Sequence, residues 1–478
     1  MKTTSPCRPA VRGSSFLSSN PCFTRCHALS LTWLLFGMSI IDTPAAGVTE
    51  VCGFENYYNP STLVLATDGN FYGTLGGALN TGMVFRVTTD GAFTCFAGLS
   101  PSDASPYKGG PLLQDADGSF YGTAFGGGAN FLGSVFQVGT NGVVTRLISF
   151  TGLNGARPYA GLTRGPDGYL YGTTRYGGAN VQLPDETTAP GTIFRLSSSG
   201  LLSTLVSFNR TNGANPEGLL VCGADGNLYG TTVAGGSANV GTIFRVTTNG
   251  NLDTLFAFSG TNGALPYGGL VQTPDGTLYG TTAKGGANGY GTVFSLTTNG
   301  TFASLASFNG TNGAYPYSGM ILGSDDVLYG TTAFGGLGFD GSQSSGYGTV
   351  FRVQRSGEVI TLGILDGTNG AHPVTGLVQS TDGYLYGTCW GGGSHSAGSI
   401  YRVANRILLQ IAAQASGEWL LSWNAVRGLT YQPQYSTNCL PAGWNNLGNP
   451  LAATNTALTT IDSLEGQPQR FYRVVESP

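Results

Sequence analysis

The chain has 478 residues and a formal net charge of -4, and only 10% of its residues are charged, against a usual fraction of about 25%. This balance excludes the basic surface typical of nucleic-acid-binding proteins, and we expect no nucleic-acid partner. The low charge and the 78 glycines favour an extracytoplasmic β protein over a cytosolic enzyme.

The first 46 residues follow the order of a signal peptide. Basic residues between positions 2 and 25 precede an apolar run over 28–41, and small residues follow at Thr43, Ala45 and Ala46. A retained membrane anchor is the alternative, but the run of roughly 14 residues is shorter than the ~20 that a spanning helix needs. We therefore predict a signal peptide over 1–46, a secreted or extracytoplasmic location at the cell surface or in the periplasm, and no membrane span after cleavage.

One tripeptide, Tyr-Gly-Thr, recurs along the rest of the chain at intervals of about 50 residues. Its copies begin at Tyr72, Tyr121, Tyr171, Tyr229, Tyr279, Tyr329 and Tyr386. Self-similarity at this period is typical of propellers and solenoids. The sequence therefore predicts an array of seven similar units.

Each unit is predicted to be a meander of four antiparallel strands. In the fifth copy, apolar segments at 269–272, 278–282, 291–296 and 302–308 are separated by a Gly-rich loop and by turns at Asp275-Gly276 and Asn299-Gly300. Asp-Gly and Asn-Gly between apolar runs are strong hairpin signals, because these residues tolerate positive φ. The recurring turn aspartate could ligate calcium, but partner acids are lacking, so we interpret it as a turn former. A glycine inside the second strand indicates close approach of another group.

The first and last units complement each other. Residues 48–54 match the fourth-strand segment at 202–208, whereas the seventh unit has a third strand at 399–403 and no fourth. This predicts that 48–54 pairs with 399–404 and closes an all-β, seven-bladed β-propeller over 47–405. Closure removes exposed sheet edges. An open solenoid is the alternative.

The repeat stops near residue 406, and short apolar segments follow to the end of the chain. They lie at 408–414, 419–423, 431–435, 458–461 and 470–475. Strands of this length separated by turn residues predict a small β-sandwich over 406–478. Trp419, Trp423 and Trp444 could stack on sugar rings, but we interpret them as core residues.

Two resemblances follow from these motifs. The pattern Pro-x-x-Gly-Leu…Asp-Gly-x-Leu-Tyr-Gly-Thr-Thr…Gly-Thr-Val-Phe over 48–404 resembles the GloVer (Gloeo/Verruco) tandem repeat of secreted bacterial proteins. That resemblance implies an extracytoplasmic propeller and no established reaction. The segment from Leu421-Ser422-Trp423 to Arg470-Phe471-Tyr472 resembles a fibronectin-III-like module.

Aromatic residues concentrate in the loops that join second to third strands and one unit to the next. Both loop types are expected on one rim, here called the loop rim, and loops on a rigid scaffold commonly carry binding sites. The two longest loops, 178–191 and 336–348, lie in units three and six and could frame its mouth. One set of aromatic residues, assigned to one equivalent position before the glycine run, is Phe125, Tyr176, Phe334 and Trp390. A second set follows the loop proline and consists of Tyr107, Tyr159, Tyr267 and Tyr317.

Rings beside glycine- and amide-rich loops suit sugar stacking or apolar peptide side chains. The candidate ligand-binding residues are therefore Phe125, Tyr159, Tyr176, Tyr267, Tyr317, Phe334 and Trp390. The alternative is that these rings only pack over the ends of the sheets.

Residues able to catalyse are few. Beyond the leader, histidine occurs at His372 and His395, both near Cys389 in the seventh unit, where a metal or an acid–base pair could be held. No third ligand follows at a diagnostic spacing and no catalytic motif occurs, so we predict no metal, cofactor or catalytic residue. The remaining cysteines could form one disulfide, for example between Cys52 and Cys95, and the sequence does not decide whether they do.

These observations predict a secreted, monomeric, non-catalytic binding or scaffold protein. Its partner would be an extracellular polysaccharide or a cell-surface protein, recognised through the loop rim. The alternative function is a propeller lyase or hydrolase with its site at the channel mouth. Two or more ionisable groups clustered with His372 or His395 would favour the enzyme, whereas neutral rings and amides would favour the binding protein.

Overall fold

A computed structural model describes residues 47–55, 59–77, 81–102, 110–179, 185–407, 409–414, 418–425, 429–437, 443–454, 457–463 and 470–477. The predicted signal peptide, Tyr107 and Cys439 lie outside the described residues. The described residues form an all-β structure with one short 3-10 helix at Glu186–Thr188. Within this part of the chain there is no helix with the length and hydropathy of a membrane span.

Each Tyr-Gly-Thr copy lies on the second strand of its own four-stranded antiparallel sheet, numbered one to seven along the chain. Strand β1 is Thr49–Gly53. Sheets one to three consist of β2 (Val64–Leu65), β3 (Phe71–Gly76), β4 (Gly82–Val87) and β5 (Phe93–Leu99); β6 (Leu113–Gln114), β7 (Phe120–Ala124), β8 (Ser134–Val138) and β9 (Val144–Ser149); and β10 (Thr163–Arg164), β11 (Leu170–Thr174), β12 (Thr192–Leu196) and β13 (Leu202–Ser207).

The later sheets repeat the same plan. Sheets four to six consist of β14 (Val221–Cys222), β15 (Leu228–Thr232), β16 (Thr242–Val246) and β17 (Leu252–Ala257); β18 (Val271–Gln272), β19 (Leu278–Thr282), β20 (Thr292–Leu296) and β21 (Phe302–Ser307); and β22 (Ile321–Leu322), β23 (Leu328–Thr332), β24 (Thr349–Val353) and β25 (Val359–Ile364). Sheet seven contains β26 (Val378–Gln379), β27 (Tyr384–Cys389), β28 (Ser399–Ala404) and, as its fourth strand, β1. The predicted four-stranded meander is therefore confirmed.

The strand-interior glycine makes room for a ring on the paired strand. Gly280 lies directly opposite Phe294, and a Cβ added to Gly280 would stand 2.4 Å from Cζ of that ring. The same Gly–Phe pairing recurs in sheets one to six, and in sheet seven Gly387 faces Tyr401. The predicted close approach is confirmed, but the approaching group belongs to the same sheet and not to a neighbouring one.

The turn aspartate accepts hydrogen bonds from its own turn and from the second strand. In sheet four, Asp225 accepts one bond from the main-chain N–H of Asn227 (3.1 Å) and another from the hydroxyl of Tyr229 (2.7 Å). Corresponding Tyr–Asp bonds occur at Tyr72, Tyr171, Tyr329 and Tyr386. These contacts support the interpretation of the aspartate as a turn former.

The seven sheets pack face to face in a closed succession. Each neighbouring pair shares an apolar core, and one such core joins sheet seven to sheet one through Tyr386, Ile400, Phe71 and Phe85. The hydroxyl of Thr388 also donates to the carbonyl of Ser61 across this junction (3.1 Å). The arrangement is propeller-like, with no sheet left at an end of the succession.

The predicted pairing of 48–54 with 399–404 is confirmed. Strand β1 runs antiparallel to β28, with Cys52 opposite Ile400 and Glu50 opposite Tyr401. Val51 lies in the register shift between these pairs, which forms a bulge. The carboxylate of Glu50 accepts hydrogen bonds from the main-chain N–H (3.1 Å) and hydroxyl (2.9 Å) of Ser394, so side chains reinforce the ladder.

Two further sheets follow the repeats. One contains β29 (Leu409–Ala413), β30 (Trp419–Asn424) and β34 (Ala457–Asp462), and the other contains β31 (Thr430–Ser436), β32 (Asn445–Asn446), β33 (Leu451–Ala452) and β35 (Phe471–Ser477). Their shared core includes Trp423 and Tyr431, and Trp419 packs against it. Trp444 packs against Arg473, whose guanidinium carbon Cζ lies 4.3 Å from the centroid of the tryptophan ring.

Candidate functional site

A proline-containing segment precedes six of the seven sheets within the described part of the chain, and it runs towards a cavity that these sheets share. The residue before the proline has a positive φ of 55–57° at Asn59, Arg157, Asn215, Leu265, Tyr315 and His372. This left-handed conformation is uncommon for a residue with a side chain and needs support from its surroundings. In Leu265 the N–H donates to the carbonyl of Val240 (2.9 Å) and the C=O accepts from Ala283 (3.0 Å), so both main-chain groups are held.

The residue after that proline lines one central cavity of about 780 Å³. In the six sheets where it is described, this residue is Ser61, Tyr159, Glu217, Tyr267, Tyr317 and Val374. The cavity therefore collects one position of the repeat from six sheets. Its volume lies within the roughly 300–1,000 Å³ of small-molecule sites.

Glycines next to this position form part of the cavity wall as bare backbone. A Cβ added to Gly268 would lie 2.5 Å from the main chain of Ser318 and Gly319, and one added to Gly218 would lie 2.8 Å from the carbonyl of Gly268. Neighbouring sheets thus meet backbone to backbone at the centre. A larger residue at either position would push these sheets apart.

Aromatic rings follow one side of the cavity in an unbroken series. Tyr267 meets Tyr317 edge-on with ring centroids 5.2 Å apart, and Tyr317 lies 6.4 Å from Phe334. Phe334 in turn lies 4.7 Å from the ring of His372. We call these four residues the aromatic arc. Trp390 also lines the cavity and is 44% exposed.

The assignment of Phe125, Tyr176, Phe334 and Trp390 to one equivalent position is wrong. Main-chain bridges join Ala156 to Tyr176, Ala314 to Phe334 and Ala371 to Gly391, so Gly391 and not Trp390 is the counterpart of Phe334. The glycine run begins one residue earlier after Phe125 and Trp390. Trp390 therefore corresponds to Arg175.

Five of the seven predicted residues nevertheless line the cavity: Tyr159, Tyr267, Tyr317, Phe334 and Trp390. Phe125 stands behind this lining, with its ring edge-on to Tyr159 at 6.0 Å. Tyr176 instead packs against the guanidinium of Arg175 at 5.1 Å. The bridges Ala264–Lys284 and Ala314–Phe334 join the two loop types, which confirms that both lie on one rim.

The cavity also contains an ion pair that the sequence analysis does not identify. Nη1 of Arg175 lies 3.1 Å from Oε1 of Glu217, and the two side chains are 29% and 1% exposed. The guanidinium also lies over the ring of Tyr159, 5.8 Å from its centroid. Glu217 occupies the position that is tyrosine in units three, five and six, and an alignment of the repeats on their proline would reveal it.

Tyr267 and Tyr317, which are half-buried in the cavity wall, keep their protons at ordinary pH. Burial, together with the nearby charge of Glu217, raises the pKa of Tyr267 to about 12. Burial and the neighbouring Tyr159 raise the pKa of Tyr317 as well. Both hydroxyls are therefore neutral groups that donate and accept hydrogen bonds, and they are poor bases.

The histidines do not form a shared site with Cys389. His372 lines the cavity and donates from Nδ1 to the carbonyl of Ala333 (3.0 Å). His395 instead lies beside β1, with Nε2 2.9 Å from Glu55. Cys389 is buried within the core of sheets six and seven, and burial raises the pKa of its thiol. Among the described residues, no cluster of three His, Cys, Asp or Glu side chains could hold a metal, and no disulfide joins Cys52 to Cys95.

The two long loops differ in their contribution to the lining. Ser344, from the segment at 336–348, lines the cavity. The described residues of the segment at 178–191 do not, and residues 180–184 lie outside the described part of the chain. Framing of the mouth by both loops stays a prediction.

Similarity to solved structures is distant. The extracellular domain of a protein from B. thetaiotaomicron, named as a one-component system, is 12% identical, with a TM-score of 0.47, over 90% of this chain and 57% of that one. A puromycin hydrolase is 13% identical, with a TM-score of 0.48, over 77% of this chain and 59% of that one. A protein of unknown function from Dyadobacter fermentans is 11% identical, with a TM-score of 0.40, over 76% of this chain and 100% of that one. This chain thus spans about three fifths of the length of the first two.

Sequence similarity is more informative. No curated protein matches the chain. A family model described as the Gloeobacter/Verrucomicrobia repeat matches residues 41–182 and 184–343, which is more than half of the sequence. The matched segments contain six of the seven Tyr-Gly-Thr copies, those at Tyr72, Tyr121, Tyr171, Tyr229, Tyr279 and Tyr329, and the chain belongs to the Gloeobacter/Verrucomicrobia repeat family.

Proposed function

We propose that this protein is a secreted, monomeric, seven-bladed β-propeller that binds an extracellular carbohydrate in its central cavity without catalysing a reaction. Residues 47–405 form the propeller, which β1 closes, and a small fibronectin-III-like β-sandwich follows over 406–478. The closed succession of seven packed sheets supports this architecture. The leader-like sequence of residues 1–46 supports export.

One observation carries the binding function: a single repeat position presents tyrosines from three sheets to one cavity. Sugar rings carry apolar C–H faces and polar hydroxyl edges. Tyr267 and Tyr317 match both, because their rings offer flat surfaces and their hydroxyls remain protonated. A concave site of this size also suits a sugar better than the broad surface of a protein partner.

A lyase or hydrolase is the second candidate, because Arg175, Glu217 and His372 line the same cavity. Their contacts favour binding instead. Glu217 faces the guanidinium of Arg175, and His372 donates a hydrogen bond from Nδ1 to a main-chain carbonyl. Neither arrangement provides a paired acid and base of the kind that glycoside cleavage requires.

A glycan array read with purified protein tests the proposal. We expect wild-type protein to bind a defined set of glycans, and Tyr267→Ala and Tyr317→Ala each to weaken binding at least about tenfold through loss of a stacking face. Tyr169→Ala, outside the cavity lining, is the matched control and should bind normally. Turnover of a bound glycan by the wild-type protein would favour the enzyme instead.

A further inference from the structure

The ion pair sets the charge that a ligand meets in the central cavity. Of the described residues that line it, only Arg175 and Glu217 have side chains that are ordinarily fully charged at neutral pH. They lie 3.1 Å apart, so the cavity has one positive and one negative charge in direct contact. The rest of the described lining consists of aromatic rings, hydroxyl groups, glycine backbone, apolar side chains, the amide of Asn59 and the imidazole of His372.

The two members of the pair face the cavity differently. The side chain of Glu217 is 1% exposed, whereas that of Arg175 is 29% exposed. Arg175 also contacts the rings of Tyr159 and Tyr176, with centroids 5.8 and 5.1 Å away. The guanidinium is therefore the member that a ligand can touch, and the carboxylate behind it holds and neutralises it.

We propose that the central cavity selects neutral sugars over acidic ones, and that Glu217 enforces this selection as a positioning residue that acts through Arg175. This inference rests on the proposed carbohydrate-binding function. Arg175 would donate hydrogen bonds to uncharged sugar oxygens, while the sugar ring packs on the aromatic arc.

The physical reason is the cost of adding a third charge. A carboxylate on the ligand would compete with Glu217 for the same guanidinium and would lie close to a buried negative charge. Like charges in such a setting repel each other strongly, and a buried carboxylate that loses its partner is also unfavourable. A neutral sugar avoids both costs, because hydroxyl and ring oxygens accept from Arg175 without displacing Glu217.

The test compares matched sugars on wild-type protein and on Glu217→Gln. The probes are oligosaccharides of glucose and of glucuronic acid, and of galactose and of galacturonic acid, measured by calorimetry at low and high salt. Wild type is expected to prefer the neutral member of a pair, with little salt dependence. Glu217→Gln leaves Arg175 charged, and should shift the acidic-to-neutral affinity ratio at least about tenfold towards the acidic sugar. That new binding should weaken as salt rises.

Each outcome bears on one claim. If wild type binds no sugar, the proposed function fails. If wild type binds sugars but prefers the acidic members, the function stands and the selection is overturned. If wild type prefers neutral sugars and a folded Glu217→Gln leaves the ratio unchanged, the role of Glu217 is overturned. Should Glu217→Gln not fold, a paired Arg175→Gln, Glu217→Gln variant takes its place. It removes both charges and should stay selective for neutral sugars, and a preference for acidic sugars in it would overturn the inference.

Discussion

At the residue scale, the Tyr-Gly-Thr motif is explained by what stands opposite it. Gly280 is paired with Phe294, and its missing side chain is the space that this ring occupies. Burial of a ring over a strand glycine recurs in sheets one to six. The glycine of the motif is therefore needed for packing, in strands that are buried along their whole length.

We predict that Gly280→Ala destabilises the protein by about 1–3 kcal/mol, because the new methyl group overlaps the ring of Phe294 in a close-packed core. Gly98→Ala is the matched control: Gly98 also lies in a strand, but an added Cβ meets nothing within 4 Å. Denaturant unfolding of both variants measures the difference. Equal stability of the two variants would show that the Gly–Phe pairing does not require glycine.

The tyrosine of the same motif predicts an alkaline limit to stability. Burial, with the hydrogen bond to Asp225, raises the pKa of Tyr229 to about 12 from its ordinary value of 10. A group whose pKa is raised by folding stabilises the fold below its unfolded pKa, and that stability is lost as pH rises through the folded pKa. Stability should therefore fall between about pH 10 and pH 12.

Tyr229→Phe tests this by removing the titrating hydroxyl. We expect the free energy of unfolding to fall by about 1–3 kcal/mol at pH 8, because the variant lacks the hydrogen bond to a charged group. The difference in this free energy between the variant and wild type should then narrow as pH rises from 10 towards 12. Tyr169→Phe, at an exposed position, serves as the control. A gap that stays constant up to pH 12 would contradict the link between the Tyr–Asp bond and alkaline unfolding.

The sequence alone predicts most of the residues that line the candidate site, but it does not predict the ion pair within it. Tyr159, Tyr267 and Tyr317 each follow the equivalent proline of their repeats. If one of them faces the centre, the repeat predicts that the other two do so as well. Glu217 takes that position in unit four and is readable by the same alignment. Its pairing with Arg175 joins units three and four, however, and depends on how closely adjacent sheets approach. No local pattern reports that distance.

At the scale of the element, β1 explains how the succession of sheets is closed. It supplies the outer strand of sheet seven, and Phe54 just after it packs against Phe85 of sheet one (6.0 Å between centroids). The side chain of Asn369 also donates to the carbonyl of Val48 (3.1 Å). One short segment from the start of the described chain therefore contacts both sheets at the junction.

We predict that removal of residues 47–55 lowers the unfolding temperature by several degrees or more and promotes association, because β28 would become an exposed edge. A protein that starts at residue 47 is the control and should match one that carries additional upstream residues. Addition of a peptide with the sequence 47–55 should restore the melting temperature. A truncated protein as stable as the control would mean that β1 is dispensable for closure.

Strand positions are largely predictable from turn chemistry, and the first strand of each unit shows the limit. The sequence predicts a strand over 269–272, but only Val271–Gln272 is paired. Gly269 and Leu270 instead run into the centre, where a Cβ on Gly269 would lie 2.7 Å from the carbonyl of Leu219. Contacts with the neighbouring sheet replace strand pairing at these two residues. Such contacts between units cannot be predicted from the sequence of one unit alone.

At the scale of the whole molecule, the C-terminal sheets have a core of their own around Trp423 and Tyr431. An ion pair joins Arg352 of sheet six to Glu476 of β35. Partly exposed ion pairs contribute about 0–1 kcal/mol. We therefore expect the repeat region and the C-terminal sheets to unfold as separate units.

The final prediction follows from that separation. A protein ending at residue 407 should keep its seven sheets, melt within a few degrees of the full-length repeat transition, and bind the same glycans, because the described residues that line the cavity lie between 59 and 390. Calorimetry should show one transition in the truncated protein and two in the full chain, while Arg352→Gln should leave both transitions nearly in place. A large drop in the melting temperature of the repeat region on truncation would show instead that the C-terminal sheets stabilise the seven sheets. The two regions on either side of residue 406 would then not fold independently.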